Sequence, residues 1–266
     1  MTSSFPVAIG VCLDAEAIWL NKFPKGEHRP ILLSHGTYAI HEGLAPLLDL
    51  FRRRGVEATF YVPGITADRW PDAARQVRDA GHEIASHTYG HLSAVGMSRE
   101  DERADMLRGV DAAEAAVGVR PKTWRSASWE FSENTIDLML EAGVRVSANY
   151  QDRSRPYRLT RDGEVLPIVE LPVHWHLADA PYFLYGGLPG RAPRPASEAE
   201  AVWREEFDGL YGDRPGAFFH LTLHVQLIGH PGRLRMLDRF LGHIQDHDRA
   251  AFMTATAVAA TVQGDA

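Results

Sequence analysis

Apolar residues run almost without a break over residues 6–14, 58–62 and 217–224. Short continuous runs of this kind fit strands covered on both faces. Between them the period changes to that of helices. Residues 44–54 carry helical spacing and stop before Gly55, and residues 70–80 do the same with Gly81 just beyond. Ser98 is placed to cap a long amphipathic helix whose first turn holds Glu100, Asp101 and Glu102, the sign that a helix N-terminus favours. Further strands are expected at 82–87, 123–128, 145–150 and 251–255. Helices are expected from Ser132 through Ala142, from Ser197 through Tyr211 and over 232–247. Residues 151–168 are polar and irregular, 168–173 look extended, and 178–196, rich in Pro and Gly, read as a long loop. Strand and helix alternating in this way predict an α/β fold with a parallel sheet, closed as a barrel or doubly wound.

In either architecture the ligand site lies at the carboxyl ends of the strands. Asp14, His87, Ser128, Tyr150 and His224 all fall at expected strand C-termini. Five polar or ionisable groups on one rim define the candidate site.

Composition narrows the class. The chain has 266 residues and 45% hydrophobic content, which suits one domain spanning residues 1–266 with a sizeable core. Of 28 basic residues three are lysine, and the arginines are scattered, so no basic stripe marks a nucleic-acid surface. A single cysteine, Cys12, excludes an intrachain disulfide, and no apolar run reaches the roughly 20 residues of a membrane span. The N-terminal MTSSFPVAIGV passes into a strand without a basic leader, so a cytoplasmic location is expected.

His87 and His91 stand four residues apart in HEIASHTYGH and share a face if the chain turns helically after the strand. With Asp14 from another strand they supply two nitrogens and one oxygen, a normal plan for catalytic Zn²⁺ with positions left open for water. Such a cation acidifies water and polarises a carbonyl. With 13 histidines in the chain, an isolated pair at this spacing also fits ordinary structural histidines; the strand-end context favours ligands.

Five segments together resemble the polysaccharide deacetylase (NodB-homology) family across nearly the whole chain: VCLDAEAIWL; SHTYGH, preceded by FYVPG and AGHEI; WRSASWEFS; SANYQDRSRPYRL; and LTLHVQLIGHPGRL. The segments DAEAIWL, SASWEFS, ELPVHWHLADAP and PGRLRMLDRF are most similar to a subgroup of peptidoglycan-deacetylase-like proteins and cyclic imide hydrolases. The resemblance implies a distorted (β/α) barrel of about seven parallel strands. It implies a divalent metal, Zn²⁺ by expectation, on Asp14, His87 and His91, with His224 as general acid. It also carries a departure. The family's general base, an aspartate two residues before the metal aspartate, is replaced here by Cys12. Either Cys12 works as a thiolate base, nucleophile or ligand, or Glu16 supplies the missing carboxylate, or Cys12 is an inert strand residue. Ser128 and Val225 stand where the family commonly has proline.

Trp129 is a candidate pocket wall, Glu130 an acceptor for a substrate N–H, and Arg125 a partner for a buried carboxylate. Trp175 and His176, with His174, either line a pocket mouth or cover a subunit contact. Tyr182, Phe183 and Tyr185 serve as a lid or an interface. The expected function is metal-dependent hydrolysis of a non-peptide C–N bond in a small cyclic imide or amide. N-deacetylation of a sugar or glycan is the alternative, and metal or ligand binding without turnover is a third reading. The expected partners are a small-molecule substrate and further copies of the chain, as a dimer or tetramer, with no nucleic acid and no membrane.

Overall fold

The computed structural model describes residues 4–22, 29–185 and 193–262. Among the described residues nine strands form one curled sheet: β1 (Phe5–Cys12), β2 (Thr59–Val62), β3 (Glu83–Ser86), β4 (Thr123–Trp124), β5 (Val146–Ser147), β6 (Tyr157–Arg161), β7 (Glu164–Glu170), β8 (Phe219–His224) and β9 (Ala250–Met253). Their order is β6-β7-β5-β4-β3-β2-β1-β8, and β9 pairs with Phe5–Ala8 of β1, beside the stretch that pairs with β2. Every pairing is parallel except β6 with β7. The expected distorted barrel is present, with nine strands instead of about seven because β9 and the antiparallel β6 join it.

The curl brings the two ends of the sheet together after β7. Ala178 bridges Thr222 of β8, Asp179 N–H donates to the Thr222 carbonyl, and His220 Nδ1–H donates to the Pro172 carbonyl. This seam is one bridge wide.

Strand alternation divides the core. Val7, Ile9, Val11 and Leu13 of the first strand face the surrounding helices, together with Phe60, Val62, Phe219, Leu221 and Leu223. Ala8 and Cys12 face inward with Tyr61, Ala85, Val146, Ala148 and Leu171. Both faces of β1 are therefore apolar, which is why its sequence is nearly continuous in hydrophobic residues. Gly10, also inward, leaves room for the Arg125 guanidinium; a Cβ there would lie 2.9 Å from Nη2. At the amino end of the strands, Glu83 accepts hydrogen bonds from the hydroxyls of Thr59, Thr123 and Thr256, which plugs the barrel floor.

Three local expectations are corrected. Residues 151–156 are irregular as expected, but 157–168 are not: β6 and β7 form a hairpin across Asp162-Gly163, both in the left-handed region that such a two-residue turn requires. The helix Leu44–Arg54 is preceded by Pro30–Tyr38 and a π-helical stretch Ala39–Gly43, so the chain is already helical well before Leu44. The loop at 178–196 contains the short helix Ala180–Phe183, whose Phe183 is buried in the core, while residues 186–192 lie outside the described residues. No helix among the described residues is long and apolar enough to cross a membrane.

Candidate metal centre and active site

Asp14 follows the end of β1, where Ala15 takes a left-handed φ of 48° and turns the chain into the helix Ala17–Lys22. The Asp14 carbonyl is held by the Thr66 hydroxyl and the Ala17 N–H, and Gly36 packs so closely on Ala15 that any Cβ would overlap its carbonyl. The carboxylate is thus fixed by its backbone. It is fully buried, and its Oδ1 has no hydrogen-bond partner. A buried carboxylate oxygen left without a donor is costly unless a cation satisfies it.

Two imidazoles face that oxygen. His87 Nε2 lies 3.8 Å and His91 Nε2 3.9 Å from Oδ1. His87 Nδ1–H donates to the Arg125 carbonyl at 2.9 Å, which leaves the Nε2 lone pair directed at Asp14, the usual arrangement of a metal-bound histidine. The helical turn expected after β3 does not form. Residues 87–92 are irregular, and positive φ at Thr88 (61°) and His91 (57°) folds the segment so that both rings converge. The Thr88 hydroxyl accepts from the His91 N–H and Asp105 accepts from Tyr89 and Gly90, pinning this turn. The donor set fits one divalent cation on Asp14, His87 and His91.

Cys12 is buried and inward, and its sulfur, an Asp14 oxygen and a His87 nitrogen all lie within 4.8 Å of one another. Residues two apart in a strand share a face, and Cys12 and Asp14 follow that rule here. Burial works against ionisation of the thiol, but His224 and His87 outweigh it and pull Cys12 down to about 6. Arg125, fully buried, reaches the sulfur with Nη1 at 3.6 Å, donates from Nη2 to His220 Nε2 at 3.2 Å, and lies over the Tyr61 ring at 3.7 Å. No carboxylate is paired with it among the described ion pairs, so the expectation of a carboxylate partner is corrected: the sulfur takes that place. His220 is held neutral, first by burial and then by Arg125, at about 3.

His224, the last residue of β8, borders the same cluster as the register partner of Cys12. Its Nδ1–H donates to Asp179 Oδ1 at 2.6 Å and its backbone N–H to Oδ2 at 2.9 Å, while Nε2 lies 3.9 Å from Asp14 Oδ2. Burial disfavours the imidazolium, but Cys12 and Asp179 outweigh it and hold His224 well above its ordinary value. Asp179 was not among the residues singled out from the sequence, although it lies in the quoted ELPVHWHLADAP. Gln226, also not foreseen, donates to Asp14 Oδ2 at 3.4 Å.

These groups open on a cavity of about 650 Å³, within the range of small-molecule sites. Cys12, His87, His91, Arg125 and His224 reach it, and Ile18, Leu92, Trp129, Trp175, Pro181 and Leu184 form apolar walls. Trp129 and Trp175 pack against each other with ring centroids 4.3 Å apart and planes tilted by 45°. Ser128 and Trp129 are consecutive left-handed residues (φ 58° and 57°) that throw the indole into the cavity wall. Of the six non-glycine residues with positive φ among the described residues, five surround this site: Ala15, Thr88, His91, Ser128 and Trp129. Strain of this kind concentrates at functional sites.

Four candidates are not brought to the site. Glu16 lies outside the cavity lining; its Oε2 accepts from Trp70 Nε1 at 2.9 Å and Arg69 stands 3.8 Å from its Oε1, so it does not replace the missing base. Glu130 points to solvent, because the Ser128–Trp129 turn spends the inward position on the indole. His176 is exposed beside Glu206. Tyr150, named for its strand end, packs against Phe131 instead of the cavity.

Fold and site together define a (β/α) barrel whose strand-end donors fit a divalent cation. Residues 31–147 match the family model for polysaccharide deacetylase. A peptidoglycan deacetylase from Helicobacter pylori is 27% identical over 97% of this chain and 96% of its own length. The crystal structure of a putative polysaccharide deacetylase from Mycobacterium smegmatis is 31% identical with a TM-score of 0.91, covering 98% of this chain and 92% of that one. Puue allantoinase shares the fold at 21% identity and a TM-score of 0.83, over 96% and 89% of the two chains. The chain belongs to the polysaccharide deacetylase family, whose members are metal-dependent amide hydrolases acting on C–N bonds other than peptide bonds.

Proposed function

We propose that this protein removes the N-acyl group of an acetylated amino sugar, in a glycan or a fragment of one. The observation that carries the chemistry is the orphaned Asp14 Oδ1 facing two imidazole nitrogens, with the His224–Asp179 pair beside it. The full-length likeness to a peptidoglycan deacetylase supports the substrate class. A divalent cation, Zn²⁺ by its liking for imidazole and carboxylate, would be held by Asp14, His87 and His91 and would act there as a Lewis acid on the acyl carbonyl.

The chain's own groups supply the proton transfers. Cys12, as a thiolate beside the Arg125 guanidinium, accepts a proton from the attacking water as its oxygen bonds to the acyl carbon. His224, charged and oriented by Asp179, gives its proton to the nitrogen as the C–N bond breaks, releasing a carboxylic acid and an amine. Trp129 and Trp175 offer an apolar platform to the face of a sugar ring.

A second reading, opening of a small cyclic imide or amide by the same groups, is favoured by the cavity itself. About 650 Å³ walled by Ala180, Pro181 and Leu184 on one side and the tryptophan pair on another suits one or two rings better than a long chain. The deciding experiment assays Zn²⁺-loaded enzyme for acetate release from N-acetylglucosamine oligomers and peptidoglycan fragments, beside ring opening of simple imides. Acetate release upholds the proposal. Imide opening alone transfers the assignment to the second reading, and silence on both panels with tightly held metal supports binding without turnover.

A further inference from the structure

At the amino end of the barrel, away from the cavity, a second group of ligand-bearing side chains converges. His243 lies on the helix Pro231–Gln245, His247 follows one turn later, and Asp208 comes from the neighbouring helix Ala196–Asp213. One ligand atom from each lies within 4.8 Å of the others. Asp208 Oδ1 is 2.7 Å from His243 Nε2 and 3.7 Å from His247 Nε2. His247 Nδ1–H donates to the His243 carbonyl at 2.9 Å, so its Nε2 lone pair is presented toward the carboxylate. The catalytic groups make no use of this cluster. Its neighbours Phe207 and Tyr211 pack on Phe5, the first residue of β1 and the end of that strand remote from Asp14.

We propose that Asp208, His243 and His247 form a second divalent-cation site, suited to an imidazole-seeking ion such as Zn²⁺, that ties the helix Ala196–Asp213 to the end of Pro231–Gln245. Two nitrogens and one oxygen with open positions for water match the preference of such ions. The rings are preorganised. Phe207 meets both imidazoles edge-on at 5.8 and 5.0 Å between centroids, and Tyr211 meets His247 at 4.8 Å. Tyr211 is itself held by Asp248, and it takes up Arg249 through its carbonyl and ring, which engages the nearby cation. Ligand atoms of a tetrahedral zinc stand roughly 3.4 Å apart, so the His247–Asp208 separation already suits an ion, and the His243–Asp208 hydrogen bond has only to open by less than about 1 Å. Asp208 is half-exposed, which gives the ion a path in and leaves the carboxylate free to turn. On this strand-start face of a barrel, a bound ion contributes stability and not catalysis.

The test uses the full chain with His87→Ala and His91→Ala, which removes the catalytic ligands, titrated with Zn²⁺ alone against a chromogenic chelator. About one ion per chain is expected to bind, with a rise in Tm, and Co²⁺ in its place is expected to give the visible absorption of a low-coordinate site. Adding Asp208→Asn should weaken binding by more than about tenfold and erase the Tm response. Should the double variant fold poorly, wild type and Asp208→Asn are compared directly: the first should take up two Zn²⁺ per chain and the second one, with equal hydrolase activity. The proposal is overturned if the double variant binds no Zn²⁺ at about 100 μM, or if Asp208→Asn leaves affinity and stoichiometry unchanged.

Discussion

Glu170 at the end of β7 is fully buried, and replacing it with glutamine should stabilise the protein at neutral pH. Its Oε1 accepts from the backbone N–H groups of Asn149 and Tyr150 at 2.6 and 2.9 Å, while Oε2 has no partner. Burial raises its carboxyl from 4.5 to about 7 against these hydrogen bonds. A carboxyl raised on folding contributes its stability below its unfolded value and loses it as pH climbs through the folded one. The window therefore runs from about 4.5 to about 7. Such a shift makes ionisation in the fold cost roughly 3 kcal/mol above that window. In Glu170→Gln the amide oxygen keeps both backbone donors and the charge is gone. At about pH 5 the native carboxyl is protonated and its O–H needs an acceptor as much as the amide N–H does, so the two proteins should agree within about 0.5 kcal/mol. At about pH 8 the variant should lead by 2–3 kcal/mol, roughly a 5 °C gain in Tm for a domain of this size. Urea unfolding of both proteins at the two pH values decides. A difference that does not change with pH, or a native lead at high pH, would refute the reasoning and mean that Glu170 is ionised and paired in the fold.

Three further outcomes test the catalytic centre. Asp14→Asn, His87→Ala and His91→Ala should each abolish activity and lower the retained metal by one ion per chain relative to wild type, measured by elemental analysis after dialysis, since three ligands leave no redundancy. Cys12→Ser should reduce kcat by about 10²–10⁴-fold and Cys12→Asp should restore much of it; native kcat in Cys12→Ser would remove the thiolate from the reaction. Asp179→Asn should lower kcat by about 10²-fold at unchanged metal content and bring the alkaline limb of the pH profile down, because His224 loses the anion that keeps it protonated.

Much of this centre was readable in one dimension because strand parity is rigid. Once residues 6–14 are a strand, Cys12 and Asp14 must share a face, and the strand run ending at His224 points that imidazole to the same rim. Turns carry no such rule. The convergence of His87 and His91 depends on left-handed residues at Thr88 and His91, neither of them glycine, and nothing in the local letters announces that. The same holds at Ser128 and Trp129, where the turn sends the indole inward and Glu130 outward. Asp179 was hidden for another reason: its partner lies 45 residues away, and only closure of the sheet joins them. The Asp-Gly pair at 162–163, by contrast, was a legible hairpin signal that the polar character of its surroundings obscured.

The seam between Ala178 and Thr222 bears on how this architecture can change over time. From β8 through β1 and β2 to β3 the circumference is locked, since altering it would mean re-registering ladders of three to six pairs. Here the ring closes on one pair, and the chain between Leu171 and Ala178 arrives without a ladder of its own beside β8. Lengthening or shortening that chain alters the girth of the cavity while leaving every other strand in place. Because Asp179 is the next residue along and anchors His224, any resized descendant that keeps the pair also keeps the proton donor in position. Accommodation of new substrates and preservation of the reaction are thereby assigned to adjacent stretches of the chain, and selection can act on one without disturbing the other.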